Sequence, residues 1–204
     1  MEKLFSLRGT LSALLILTLS VGLSDLAYAQ SQDIRLEFAP ANTTVSFTLG
    51  DILHTVHGTF KLQHGEVEYS LGTGTARGEL VIDATSGDSG NKSRDRKMHR
   101  EILESAKYPE ITFRPGRVEG KVAPTGSSTV NVDGIFSIHG SDHNLTLPIR
   151  IDLSHDHWTA DTHFTIPYVK WGIKNPSTFL LRVSQSVEID IQATGSNPFM
   201  IAQH

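Results

Sequence analysis

Cysteine is missing from the 204-residue chain. That excludes disulfide staples, a lipid-modified cysteine anchor and any thiolate metal site. A basic excess is missing too: 18 Lys and Arg stand against 22 Asp and Glu, a net −4 that argues against nonspecific nucleic-acid binding. The longest apolar run, Leu11 to Leu23, is too short for a comfortable membrane span. No Gly-x-Ser-x-Gly elbow offers a seat to a hydrolase nucleophile. No His-Glu-x-x-His helix or carboxylate cluster offers a metal seat. Gly72, Gly74 and Gly78 lack dinucleotide-binding spacing. Internal repeats and low-complexity blocks are also missing.

What remains begins with a leader. Lys3 and Arg8 precede the apolar run, and Ala27-Tyr28-Ala29 puts small residues at the two positions a signal peptidase reads. Residues 1–29 therefore read as an export signal and 30–204 as the mature domain, periplasmic or secreted. Cleavage removes Lys3, Arg8, Glu2 and Asp25, so the net charge stays at −4. The mature chain, roughly 175 residues, is long enough for one core, which must hold without disulfides. Gln30 to Asp33 reads as a loose start and Asn197 to His204 as a loose tail.

Period-2 alternation runs through the mature chain. Leu145, Leu147, Ile149, Ile151 and Leu153 alternate with Thr146, Pro148, Arg150 and Asp152, as a strand with one buried and one wet face requires. The same pattern carries Val45-Phe47-Leu49, Val67-Tyr69-Leu71, Phe136-Ile138, Phe164-Ile166-Tyr168 and Val187-Ile189-Ile191. Turn residues fall between them at Gly72-Thr-Gly74, Pro124-Thr-Gly126, Gly140-Ser-Asp142 and Asn175-Pro176. This predicts antiparallel hairpins, with Pro148 and Pro167 where no ladder hydrogen bond is needed. Barrel and sandwich both satisfy the alternation. A barrel is favoured because it removes exposed edges, and a small one is either filled or holds one ligand. Composition does not decide which.

One stretch departs from this. Met98, Ile102 and Ala106 fall at helical spacing with His99 and Leu103 beside them, capped by Ser93 or Asp95 and stopped by Pro109. The prediction is roughly three turns docked over an open end of the barrel. Lys92, Arg94, Arg96, Lys97 and Arg100 surround the single acid Asp95. The plain reading is a solvated face; the functional one is a seat for a phosphate or carboxylate head group.

Histidines suggest little chemistry. His155 and His157 would share a face on a strand, His54 and His57 would not, and His139 and His143 flank a turn. No metal and no cofactor are expected. Ser141, Asp142 and His143 contain triad types but only as neighbours in a turn, and a triad is a matter of geometry. Asn42 and Asn144 head glycosylation-type triplets. No enzymatic activity is expected.

The stretch RDRKMHREILESAKYPEITF resembles the signature of the YceI-like family of exported polyisoprenoid-binding proteins, through Arg94, Asp95, His99, Tyr108, Pro109 and Phe113. HTVHGTF (Val56, Gly58, Phe60), VDGIFSIHGSDHNLTLPIRI and YVKWGIKNP (Trp171, Gly172, Ile173) are similar to further family segments in the same order, over residues 34–194. The resemblance implies an all-β fold: a single antiparallel lipocalin-like barrel with one short α-helix covering an open end. It also implies a hollow lumen for a polyisoprenoid or similar apolar lipid, carried or sequestered. The lumen set is then Phe47, Phe60, Tyr69, Ile82, Ile102, Phe113, Phe136, Leu147, Ile149, Phe164, Ile166, Val187 and Ile189. Arg94, Arg96, His99 and Arg100 fall beside the head group. The expected partner is this hydrophobic small molecule, with no nucleic acid, no membrane span after cleavage, and room for a homodimer. The rival readings are a small-ligand or metal-binding barrel using His99, His155 or His157, and a lipid-modifying enzyme.

Overall fold

The computed structural model describes residues 33–50, 54–178 and 182–196. The expected export signal at 1–29, the start at 30–32 and the tail at 197–204 lie outside them. Asp33, expected in the loose start, instead opens the first strand.

Nine strand segments follow in chain order: β1 Asp33–Phe38, β2 Thr43–Gly50, β3 Thr55–Ser70, β4 Thr75–Asp88, β5 Glu110–Glu119, β6 Gly126–Ile138, β7 Ser141–Leu153, β8 His157–Ile166 and β9 Val187–Ser196. β1 and β2 run one after the other along the same edge of β3, with Ile34 opposite Tyr69 and Val45 opposite Phe60. They act as one broken strand. The sheet runs β2-β9-β8-β7-β6-β5-β4, and β4 pairs with the other edge of β3, closing an 8-strand antiparallel barrel. Closure leaves no long unpaired edge, which suits a chain without staples.

The alternating residues point inward as the period requires. Val45 and Phe47, Val130 and Val132, Phe164 and Ile166 are all buried, with polar neighbours outside. Two positions leave the pattern. Leu71 sits in the β3–β4 turn and is exposed, and Tyr168 lies beyond the end of β8, yet is buried. The β6–β7 turn is His139-Gly140 rather than Gly140 to Asp142, because both residues take positive φ (52° and 74°), the geometry of a two-residue hairpin turn. Ser141 and Asp142 already belong to β7. Pro148 lies within β7 at the last residue before its ladder with β8 begins at Ile149, and Pro167 lies just after β8.

The helix has about the predicted three turns but starts and ends earlier than its sequence spacing predicts. α1 spans Lys92–Lys97 and passes into one π-helical turn, Met98–Ile102. Leu103 N–H reaches Met98 O at 2.8 Å, and Ser105 N–H reaches His99 O at 3.0 Å, so the last turn widens. Glu104 then takes φ 46° and ends it, leaving Ala106 and Pro109 outside. The N-cap is Asn91, whose side chain accepts from the N–H groups of Ser93 and Arg94, not Ser93 or Asp95.

Candidate ligand-binding site

The lumen is apolar and incompletely filled. At the end covered by α1 it contains a cavity of about 390 Å³, and toward the other end a second one of about 140 Å³. Ile82, Phe136, Phe164 and Ile191 border both. Phe136 and Phe164 meet edge-to-face, with centroids 6.2 Å apart at 73°, a favourable aromatic geometry. The two rings thus form a floor between the chambers.

The far end is plugged. Trp158 is 2% exposed and meets the edge of Phe38 at 5.3 Å. Gly195 on the paired strand makes this fit: a Cβ there would lie 2.6 Å from Trp158 Nε1. Gly58 does the same under Phe47, where a Cβ would lie 2.3 Å from Cζ.

All thirteen residues expected in the lumen border one chamber or the other. Phe47, Phe60, Ile102, Ile166, Val187 and Ile189 line the wider chamber. Tyr69, Phe113, Leu147 and Ile149 line the narrower one, and Ile82, Phe136 and Phe164 line both. The head-group set divides. Arg94 lines the wide chamber, together with Ser93, Lys97 and Met98, which sequence reasoning had not assigned there. Arg96 and Arg100 do not line it: both are exposed, and Arg100 donates to Glu101 at 2.9 Å. His99 does not line it either. Its Nε2–H donates to Gly87 O at 2.9 Å and its Nδ1 meets Ser105 Oγ at 3.2 Å, so it bolts the π-helical turn to β4. The reason is angular: six helical residues spread around an axis, and only one side can face the mouth.

A buried network orients Arg94. Its Nε donates to Ser89 Oγ and its Nη2 to Ser89 O, both at 2.8 Å. Ser89 in turn donates its hydroxyl (2.5 Å) and its N–H (2.9 Å) to Asp95 Oδ1. Asp95 is 6% exposed, and its other oxygen has no hydrogen-bond partner among the described residues. The Ser89 hydrogen bonds hold its carboxyl below the usual carboxylate range, against the opposing effect of burial, with Lys92 and Arg94 adding attraction.

The chain between β8 and β9 completes the wall. The β7–β8 ladder covers only Ile149–Leu153, so the strands splay toward the α1 end. Trp171 covers the splay, stacking on His143 at 4.0 Å and 5° and meeting Phe136 at 5.9 Å. Tyr168 donates to Ser184 O at 2.6 Å, and burial raises its pKa. Asn175 accepts from Ser177 N–H at 2.8 Å, shaping the loop beside Pro176, to whose carbonyl Lys97 donates at 3.5 Å.

The histidines do not gather. His155 lies in the β7–β8 turn, not on a strand, while His157 hydrogen-bonds Asp156 at 2.8 Å. His57 shares a hydrogen bond with Thr48 at 3.1 Å. Among the described residues no three His, Cys, Asp or Glu side chains are grouped to hold a metal ion. None of the described helices is long and apolar enough to cross a membrane.

Comparison with known proteins agrees with the geometry. The family model described as YceI-like domain matches residues 36–195. No curated protein matches the sequence. Among solved structures, Burkholderia cenocepacia BcnA superposes with a TM-score of 0.64 at 18% identity, over 78% of this chain and 99% of that one. A polyisoprenoid binding domain from Saccharophagus degradans, implicated in plant cell wall breakdown, gives 0.58 at 17% identity, over 82% and 100%. The Campylobacter jejuni YceI protein gives 0.59 at 16% identity, over 71% and 86%. At such identities the likeness is one of fold.

Proposed function

We propose, from the premise that the chain belongs to the YceI-like domain family, that it binds the tail of a polyisoprenoid or similar long apolar lipid in the wide chamber. The observation that carries this is an apolar cavity of about 390 Å³ whose polar side chains, Ser93, Arg94 and Lys97 among them, lie at the helix-covered end. The relation to a polyisoprenoid binding domain of the same fold supports the ligand class. A hollow core is otherwise a loss, since unfilled volume forfeits dispersion contacts. Burying about ten CH₂ equivalents of tail would contribute roughly 8 kcal/mol, micromolar binding before ordering costs are subtracted.

Arg94 and Lys97 then meet the head group. With two of its N–H groups fixed on Ser89, Arg94 keeps the rest of its fork for a phosphate or carboxylate oxygen. Asp95 acts through Ser89 as a positioning residue. The reading contains no catalytic step. The signal read at 1–29 supports export, to the periplasm or by secretion, with carriage or sequestration as the role.

The test is native mass spectrometry of protein made with its own leader, followed by organic extraction. A discrete added mass resolving to a prenyl lipid is expected, and Phe164→Arg should lose it while keeping the strand signal in far-UV circular dichroism. An apo mass unchanged by incubation with prenyl lipids would overturn the reading.

A further inference from the structure

We propose that the α1 end of the barrel is a docking face for an anionic phospholipid surface, turning the cavity mouth toward the bilayer. The observation is a separation of charge between the two ends. Because successive strands from β2 onward are antiparallel, the connections alternate between ends. Among the described residues, 54, 89–109, 139–140, 167–178 and 182–186 connect strands at the α1 end; 71–74, 120–125 and 154–156 connect them at the other. Together with Asp88, the last residue of β4 and the partner of Lys92, the first group carries nine Lys and Arg against four Asp and Glu, a net +5 on a chain of net −4. The second group carries only Lys121 and Asp156, a net of zero, which leaves −9 on the rest of the chain.

The individual cations are available. Arg96 is exposed and has no acidic partner among the described residues. The side chains of Lys92, Arg100 and Lys174 are 82%, 77% and 65% exposed; Lys92 pairs with the exposed Asp88 at 3.6 Å, and Arg100 and Lys174 share one acid, Glu101, at 2.9 and 3.9 Å. These residues do not line the cavity, so a head group inside it does not explain them. A face of net +5 backed by −9 is attracted to an anionic plane at one end and repelled elsewhere, which orients the molecule as well as holding it. Each basic side chain near such a surface contributes a small attraction that fades within a Debye length, so the face must act collectively. This docking does not require the lumen to hold a prenyl lipid.

The test is cosedimentation of the purified chain with sucrose-loaded vesicles that contain no prenyl lipid, either phosphatidylcholine alone or with phosphatidylglycerol added. Binding is expected only on the anionic vesicles and should fall as salt rises. Arg96→Gln and Arg100→Gln should each weaken it about fivefold, and Lys121→Gln at the opposite end should leave it unchanged. Should Arg96→Gln fail to fold, Lys174→Gln takes its place. Equal partition onto neutral vesicles, no binding at low salt, or an equal effect of Lys121→Gln would each overturn the docking face. Prenyl-lipid uptake from detergent in a protein that ignores anionic vesicles would overturn the docking and leave the lumen reading standing.

Discussion

The two ends of this barrel are built from the same alternation and do opposite things with it. At the far end Trp158, Phe38, Leu153 and Ala193 close over one another in a small cluster, and glycine at 195 lets the indole lie flat on the neighbouring strand. At the α1 end the lumen is left open beneath a helix of six residues and one π-helical turn, and polar groups gather at the rim. The far end therefore concentrates close packing, and the α1 end holds the open volume and the polar side chains. Close packing is what a core gains most from, so a chamber left empty marks the region where something else is fitted.

The comparison can be broken most sharply at the plug. Trp158→Ala should cost about 4 kcal/mol, read as a lower urea midpoint, with Tm falling by roughly 10 °C. Phe60→Ala, half-buried beside the wide chamber, removes comparable chemistry from a site already hollow and should cost only about 1–2 kcal/mol, while shifting ligand retention more. Equal stability losses at the two positions would erase the distinction between the ends.

Asp95→Asn tests the rim. Removing the charge that Ser89 hydrogen-bonds should destabilise by about 1–2 kcal/mol near neutral pH. The sign with pH follows from the depressed carboxyl. Its contribution is complete above the ordinary value of 3.8 and is lost as pH falls through the lower folded value, so wild type and variant should converge in acid. Urea melts across pH 2–7 (about five buffers) would show a constant gap if Asp95 were not the cause. The smallest effect is expected at Lys121→Gln, whose stability should stay within about 0.5 kcal/mol of wild type.

Much of this was legible in the residues and some was not. The inward positions were readable because a strand's side-chain period is independent of its neighbours, so Phe47, Leu147, Ile166 and Ile189 could be assigned one strand at a time. The rim was only half readable. Arg94 was identified with Arg96, His99 and Arg100, but a basic run marks a neighbourhood, and the rotation of α1 against β4 decides which side chain reaches the mouth. The helix's C-terminal end was misplaced because Ala106 continues the apolar spacing. Docking the stripe on the barrel required the wider π-helical turn and the break at Glu104, and a 3.6-residue pattern carries no record of that strain. Lys97 stood in the basic run but was not singled out, Ser93 was read only as a cap, and Tyr168 was read only as part of a strand, because which of them faces the mouth depends on segments distant in sequence meeting there.

By itself the sequence determined that the chain is strand-built, unstapled and apolar on alternate residues, because those are local consequences of backbone period and composition. The closure of β3 on β4, the empty volume above the Phe136–Phe164 floor and the gathering of cations at one end were decided only in the tertiary structure. Each depends on how eight strand positions fit around a common axis, and volume and net field are sums over the whole assembly.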